Sequence, residues 1–142
     1  MASKDPSLEF IFGFCIVRER ETTHDERMKI VVFGASGMIG SAFCRAAVRR
    51  GFEVEGFYNH NPVKIDGLIR AERRDLSDLQ GLERPLLDRW PEVIVNAAAI
   101  SEPEAVNEEC LAASRINVDL PNRLAEISNH LGARYIHLSS DM

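Results

Sequence analysis

Three glycines at three-residue spacing form the pattern in this chain that most clearly predicts chemistry. They stand between a short apolar, β-branched run, residues 30–33, and a segment of helical character. In a strand–turn–helix context, the first glycine allows the sharp turn and the second lets backbone lie against a diphosphate. The third lets the helix pack close to the strand, and the free N–H groups at the helix start attract the anion. The sequence therefore predicts a dinucleotide site formed by this turn: Gly34, Ser36, Gly37, Met38, Ile39 and Gly40.

The end of the second predicted strand, residues 52–58, bears on which dinucleotide would bind. A carboxylate there would accept hydrogen bonds from the adenosine ribose and select NAD. The run instead reads Tyr58, Asn59, His60 and Asn61, with no acid and no arginine. Nothing in it repels a 2′-phosphate, so we expect NADP (NADPH) to be preferred over NAD, with Tyr58 beside the ribose. The two asparagines are equally typical of a turn.

A third short strand, residues 68–73, precedes Asp75 and Leu76. At the carboxyl edge of a sheet, Asp75 would accept a hydrogen bond from the adenine amino group, with Leu76 beside it. The same aspartate, together with Ser77 and Asp78, is also typical of a helix N-cap. The sequence leaves both interpretations open.

Small residues follow the fourth predicted strand, residues 93–95: Asn96, Ala97 and Ala98. They would let the ribose and nicotinamide of a cofactor approach the backbone. A long helix is predicted next, over residues 107–131, with Pro121 inside it. Because proline has no N–H, it cannot bond the carbonyl of Asn117, and a kink would free that carbonyl for a water molecule.

Apolar spacing predicts which helix faces are buried. The first helix is expected to turn Met38, Ile39, Ala42, Phe43, Ala46 and Ala47 to the sheet, and a shorter one to bury Leu86, Leu87 and Trp90. The long helix is expected to bury Leu120, Leu124, Ile127 and Leu131. With a fifth strand at residues 135–138, the fold class is α/β: a Rossmann-type, doubly wound parallel sheet of about five strands.

Composition limits the other functions. The 142 residues carry a net charge of −5, which argues against nucleic acid as a partner. Three scattered cysteines and four separated histidines give neither a disulfide framework nor a metal site, and fit a reducing cytoplasm.

The apolar run 10–17 is too short to span a membrane. Residues 1–27 are therefore interpreted as a flexible or misassigned extension, or as an added strand or docking segment, and residues 28–142 as the domain.

Several segments together resemble the extended short-chain dehydrogenase/reductase superfamily, specifically its dTDP-4-dehydrorhamnose reductase-like branch. They are GASGMIG, DLSD, PEVIVNAAAISEPE, RINVDLPNRLAEI and GARYIHLSSDM, within residues 28–142. The resemblance implies that the glycine turn binds the NAD(P) diphosphate, that Asp75 lies beside adenine, and that Asn96 to Ala98 pass the cofactor. It also implies that Asn117 supports a proton-relay water and that Ser140 polarises the substrate carbonyl.

One part of the family's chemistry is missing from the sequence. The family's proton donor is a tyrosine in a Tyr-x-x-x-Lys motif beyond strand five, but Tyr58 is followed at that spacing by Pro62, and Tyr135 by Ser139. A carbonyl that accepts hydride needs such a donor. We therefore expect the N-terminal, dinucleotide-binding part of a longer reductase, truncated before its substrate lobe and inactive by itself.

Three functions follow from the resemblance. The first is hydride transfer to a 4-keto nucleotide sugar, as in dTDP-rhamnose biosynthesis. The second is a nucleotide-sugar epimerase or dehydratase of the same superfamily. The third is a noncatalytic NAD(P)-binding regulatory subunit similar to that of methionine adenosyltransferase. The particular sugar and the oligomeric state stay open, a homodimer included.

Overall fold

Five parallel strands form the central sheet of the part of the chain that the computed structural model describes, residues 27–100 and 108–138. The strands are β1 (Lys29–Phe33), β2 (Glu53–Tyr58), β3 (Arg70–Arg73), β4 (Val93–Asn96) and β5 (Arg134–His137). Their order is β3-β2-β1-β4-β5, and each neighbouring pair is parallel. This confirms the predicted Rossmann-type fold. Because β2 and β4 flank β1 on opposite sides, the chain reverses its winding there and opens a crevice at the carboxyl edge.

Helices cover both faces of this sheet. They are α1 (Met38–Arg49), α2 (Glu83–Arg89), α3 (Glu108–Ser114) and α4 (Leu120–Leu131). A short 3₁₀ turn, Gln80–Leu82, precedes α2. One face packs against α2 and α4 through Val31, Phe33, Phe57, Ile94, Leu86 and Leu124. The other packs against α1 through Ile30, Val32, Val54, Val95, Cys44 and Ala47. Burial on both faces explains why β1 and β4 are almost continuously apolar.

The predicted buried face of α1 is wrong in the first half of the helix, where Met38, Ile39 and Ala42 are all exposed. Met38 and Ile39 are 86% and 58% exposed, and the buried positions are Gly40, Cys44 and Ala47. The close approach of Gly40 to the end of β1 fixes which side of the helix faces the sheet. The two large side chains that precede it therefore project away from the core.

The predicted helix over residues 107–131 is interrupted by a wider turn. Residues Arg115–Asp119 form a π-helical turn between α3 and α4, in which the N–H of Leu120 donates to the carbonyl of Arg115. Pro121 lies in the first turn of α4, where its missing N–H is not needed. The predicted stripe of α4 is confirmed, because four apolar residues at the expected spacing are buried: Leu120, Leu124, Ile127 and Leu131.

Trp90 was expected in the core, but it ends α2 instead. Its φ of 47° is left-handed, and its side chain is 47% exposed, whereas Leu86 is fully buried. The Trp90 N–H still donates to the carbonyl of Leu86. The left-handed turn before Pro91 rotates the indole away from the stripe that the sequence spacing predicts.

A network of charged side chains joins β2, β3 and α2. The carboxylate of Glu72 accepts hydrogen bonds from Nη2 of Arg74 and from Nη2 of Arg89, each at 2.6 Å. Nε of Arg89 donates to Glu55, also at 2.6 Å. The guanidinium of Arg89 lies 4.9 Å from the ring centroid of Phe57. The network thus bonds α2 to both strands at this side of the sheet.

Within the described ranges, no helix has both the length and the apolar character that a membrane span needs.

Candidate functional site

The turn after β1 brings the end of that strand against β2 and α1. The N–H groups of Gly34 and Ala35 both donate to the carbonyl of Phe57, at 3.1 and 3.0 Å. The N–H of Gly37 then donates back to the carbonyl of Gly34, at 3.1 Å. These bonds fold residues 34–37 into a tight turn at the carboxyl edge of the sheet.

Two of the three glycines are required by the packing of the chain itself. A Cβ on Gly34 would lie 2.7 Å from the backbone N of Ala98, and the φ of Gly34 is +76°. A Cβ on Gly40 would lie 2.1 Å from the carbonyl oxygen of Gly34. Gly37 is different, because its Cβ would meet only that oxygen, at an ordinary 3.4 Å. Packing therefore explains Gly34 and Gly40 but does not explain Gly37.

The first turn of α1 is open to an anion. Gly37 is the N-cap and provides no side-chain cap, and the first turn contains no acidic residue. The N–H groups of Met38, Ile39 and Gly40 donate to no described residue. Uncapped N–H groups and the positive end of the helix dipole together favour a negatively charged group at this position.

The turn after β4 is held by Asn96, which is fully buried. Its Oδ1 accepts from the N–H of Ala98 at 3.1 Å, and its amide nitrogen lies 3.3 Å from Nδ1 of His137. The N–H of Ala97 donates to the carbonyl of Phe33 at 2.9 Å. The side chain of Asn96 therefore shapes the turn, and the small residues after it face the open space.

A cleft of about 280 Å³ opens between these two turns at the carboxyl edge. Its lining includes many of the residues predicted for the dinucleotide site: Gly34, Ser36, Gly37, Leu76, Ala97 and Ala98. Five predicted residues are not part of this lining: Met38, Ile39, Gly40, Tyr58 and Asp75. Asn96 and Asn117 act on it through their hydrogen bonds. Ser140 lies outside the described residues, as does the apolar run 10–17.

Sequence reasoning missed part of the lining, namely Asn59, His60, Asn61, Ala99, Ile100 and Ile116. The residues after β2 could have been found, because segments that follow parallel strands meet at one edge. Ile116 gave no such signal, since it is distant in sequence and comes close only through the π-helical turn.

Asp75 forms a local turn of its own. Its Oδ1 accepts from the hydroxyl of Ser77 at 2.7 Å and from the Ser77 N–H at 2.9 Å. The hydroxyl bond and then the backbone bond lower the pKa of Asp75, with smaller contributions from the charges of His60 and Arg115. Oδ2 makes no hydrogen bond within the described ranges. Asp75 thus closes a turn with Ser77 and is not the N-cap of the following 3₁₀ turn, which is Leu79, so the capping interpretation is wrong for this residue. The adenine contact stays a prediction.

An arginine does stand near the end of β2, contrary to the expectation from the sequence. Arg73 is paired in register with Tyr58, and its Nε donates to the carbonyl of Asn59 at 2.9 Å. Because Arg73 belongs to β3, the residues that directly follow Tyr58 in the sequence did not indicate it.

The fold and the site together define a class. The chain is a Rossmann-type domain of the extended short-chain dehydrogenase/reductase superfamily. More particularly, it belongs to the family described as the RmlD substrate binding domain, whose model matches residues 28–142.

The curated relatives include a methionine adenosyltransferase subunit and a reductase, by their names. Methionine adenosyltransferase 2 subunit beta of Bos taurus is 30% identical over 140 residues, which are 97% of this chain and 40% of that protein. A dTDP-4-dehydrorhamnose reductase of Burkholderia thailandensis is 31% identical over 114 residues, 80% of this chain and 34% of that protein. The chain thus spans less than half the length of these relatives.

Solved structures share the fold. A hypothetical dTDP-4-dehydrorhamnose reductase from Sulfolobus tokodaii matches with a TM-score of 0.67 at 28% identity, over 79% of this chain and 39% of that one. The Bordetella bronchiseptica enzyme WbmG, crystallised in complex with NAD, also has a TM-score of 0.67 at 21% identity, over 82% of this chain and 38% of that one. At that identity the second match is evidence of fold alone.

Proposed function

We propose that this chain is the dinucleotide-binding part of an NAD(P)-dependent oxidoreductase, with the cofactor diphosphate on the first turn of α1. One observation carries the proposal. The N–H groups in the first turn of α1 donate to no described residue and have no side-chain cap among them, and Gly37 keeps the space in front of this turn clear although packing does not require a glycine there. A diphosphate needs both conditions.

The rest of the cofactor follows the edge of the sheet. The adenosine half lies towards Tyr58, Asp75 and Leu76, and the nicotinamide half runs along Ala97 and Ala98. NADP is preferred over NAD, because the segment after β2 contains no carboxylate that would select the unphosphorylated ribose.

The activity proposed for the whole protein is hydride transfer to the 4-keto carbon of a nucleotide sugar. The reductases at 31% and 28% identity support it. Ser140 orients the substrate carbonyl by a hydrogen bond, and Asn117 holds a water of the proton relay. The Asn117 amide retains one N–H and one lone pair for this after its two bonds to Ile100.

A regulatory subunit is the second candidate. The match to methionine adenosyltransferase 2 subunit beta covers 97% of the chain and so extends into the segment before Met28, whereas the reductase matches cover 80%. In this role the bound dinucleotide stabilises a subunit that contacts a catalytic partner and performs no hydride transfer.

Cofactor binding is tested by titrating the purified chain with NADH and NADPH and following nicotinamide fluorescence. Wild type is expected to give saturable binding without turnover. Gly37→Val places a side chain where the diphosphate would lie, so binding should be lost. Ala42→Val, on an exposed position of the same helix, is the matched control and should bind like wild type. Unchanged titration of Gly37→Val would contradict the diphosphate assignment.

A second experiment separates the two functions. The coding sequence downstream of Ser140 is read for a Tyr-x-x-x-Lys motif, and the longest expressed product is assayed for NADPH oxidation with a 4-keto nucleotide sugar. The motif together with turnover supports the reductase. A product without the motif that co-purifies with a methionine adenosyltransferase catalytic subunit supports the regulatory role.

A further inference from the structure

The guanidinium of Arg73 is held at the rim of the cleft by the backbone of Asn59, the residue that directly follows β2. Arg73 and Tyr58 are the last register pair of β2 and β3, and the N–H of Arg74 donates to the carbonyl of Tyr58 at 2.8 Å. Nε of Arg73 donates to the carbonyl of Asn59 at 2.9 Å. Because Asn59 lines the cleft, the positive charge lies directly beside it.

Arg73 is the arginine of β3 whose charge no described carboxylate neutralises. Arg70 and Arg74 both pair with Glu72, at 3.9 and 2.6 Å. Arg73 makes no ion pair in residues 27–100 and 108–138. The segment from Tyr58 to Asn61 contains no acid either. The charge of Arg73 is therefore unpaired, within the described ranges, beside the residues that follow β2.

The geometry of the group suits a phosphate. The bond from Nε to Asn59 uses one donor, and Nη1 and Nη2 donate to no described residue. These nitrogens form a planar fork that matches two oxygens of a phosphate. An exposed arginine whose backbone contact fixes its direction also loses less side-chain entropy when it binds an anion.

We propose that Arg73 binds the 2′-phosphate of an adenosine ribose and thereby determines a preference for NADP over NAD. This inference rests on the dinucleotide site proposed above. Cofactor choice in doubly wound folds is usually set by a side chain after β2. Here the strand that follows along the chain supplies it, across the β2–β3 pairing.

The experiment measures dissociation constants of the full chain for NADPH and NADH in wild type, Arg73→Gln and Arg70→Gln. Loss of a charge-assisted pair should weaken NADPH binding roughly tenfold to hundredfold in Arg73→Gln and leave NADH binding unchanged. Arg70→Gln removes an equal charge from the same strand, and its NADPH-to-NADH ratio should match wild type. Arg73→Lys retains the charge without the planar fork. Its dissociation constant for NADPH should therefore lie between those of wild type and Arg73→Gln.

Adenosine nucleotides that represent one half of the dinucleotide give an independent measurement on wild type. This measurement remains informative if Arg73→Gln does not fold. Adenosine 2′,5′-bisphosphate should displace the bound dinucleotide better than adenosine 5′-monophosphate, and high salt should reduce this advantage. Equal displacement would overturn the inference. The inference would also be overturned if Arg73→Gln weakened NADPH and NADH binding by the same factor. Arg73 would then only stabilise the ends of β2 and β3. A wild type that binds neither dinucleotide overturns the proposed function as well, whereas equal binding of both overturns only the role of Arg73.

Discussion

The side-chain amide of Asn117 is hydrogen-bonded at both ends to the backbone of Ile100. Its Oδ1 accepts from the Ile100 N–H at 3.0 Å, and its Nδ2 donates to the Ile100 carbonyl at 2.9 Å. Asn117 belongs to the π-helical turn, and Ile100 follows β4 and lines the cleft. The wide helical turn is thus linked to the carboxyl edge of the sheet, because it presents an amide that satisfies both polar groups of one residue.

Replacing Asn117 with leucine should loosen this edge without unfolding the domain. Two hydrogen bonds are lost, but both are solvent-exposed, so the free energy of unfolding should fall by about 1 kcal/mol. The amide of Ile100 should exchange with solvent faster, measured by hydrogen exchange under native conditions. Asn122→Leu, at an exposed position of α4, is the control. Unchanged exchange at Ile100 in Asn117→Leu would mean that the link does not hold the loop.

Alanine should destabilise the chain at Gly40 but not at Gly37. In Gly40→Ala the new Cβ would lie 2.1 Å from a backbone oxygen that cannot move aside, so we expect a loss of about 2 kcal/mol or more in unfolding free energy. In Gly37→Ala the nearest atom is at 3.4 Å, and stability should stay within about 0.5 kcal/mol of wild type. Urea titrations of the two variants give the comparison. Equal stability would contradict the packing assigned to Gly40.

Local signals in the sequence predicted the parts of the fold that depend on neighbouring residues. The glycine turn, the strands that carry the site, and the stripe from Leu120 to Leu131 all depend on spacing within one element. The left-handed turns at Gly51 and Gly132, with φ of +84° and +67°, were predictable for the same reason, since glycine adopts that conformation without a Cβ clash.

Contacts between distant elements could not be predicted in this way. The bond from Arg73 to Asn59 depends on the register of two strands, and the Asn117–Ile100 pair depends on the extra residue in a π-helical turn. The exposure of Met38 has a local cause, because the close approach of Gly40 to Gly34 turns the helix away from the face that periodicity alone favours.

Stability at low pH should depend on Glu72. Burial is the largest single influence on its pKa and raises it, but hydrogen bonds from Arg74 and Arg89 and the charges of both together hold the pKa below its ordinary value near 4.5. A carboxyl group with a lowered folded-state pKa contributes stability above its unfolded-state pKa. It loses that contribution as pH falls through the folded-state value. Wild type should therefore lose stability progressively below about pH 4.5.

Glu72→Gln tests this dependence. At pH 7 it should reduce the unfolding free energy by about 2 kcal/mol, because Arg74 and Arg89 lose a partner that is only 25% exposed. Below about pH 4.5 its stability should fall less steeply than that of wild type, measured by urea titration at several pH values. Glu126→Gln, which removes a 68% exposed partner of Arg123, should follow wild type. Parallel curves for wild type and Glu72→Gln would contradict the role of this network.

Cys44 should be unreactive in the native chain and so report global unfolding. Burial against the sheet raises the pKa of its thiol to about 11, while the charge of Arg45 and a backbone hydrogen bond act weakly in the other direction. In a Cys15→Ser, Cys110→Ser background, alkylation of Cys44 at pH 8 should be roughly a hundredfold or more slower than that of an unfolded cysteine, because little thiolate is present. The rate should rise with urea in step with unfolding monitored by circular dichroism. Fast alkylation of the folded chain at pH 8 would show that the space between α1 and the sheet opens without unfolding.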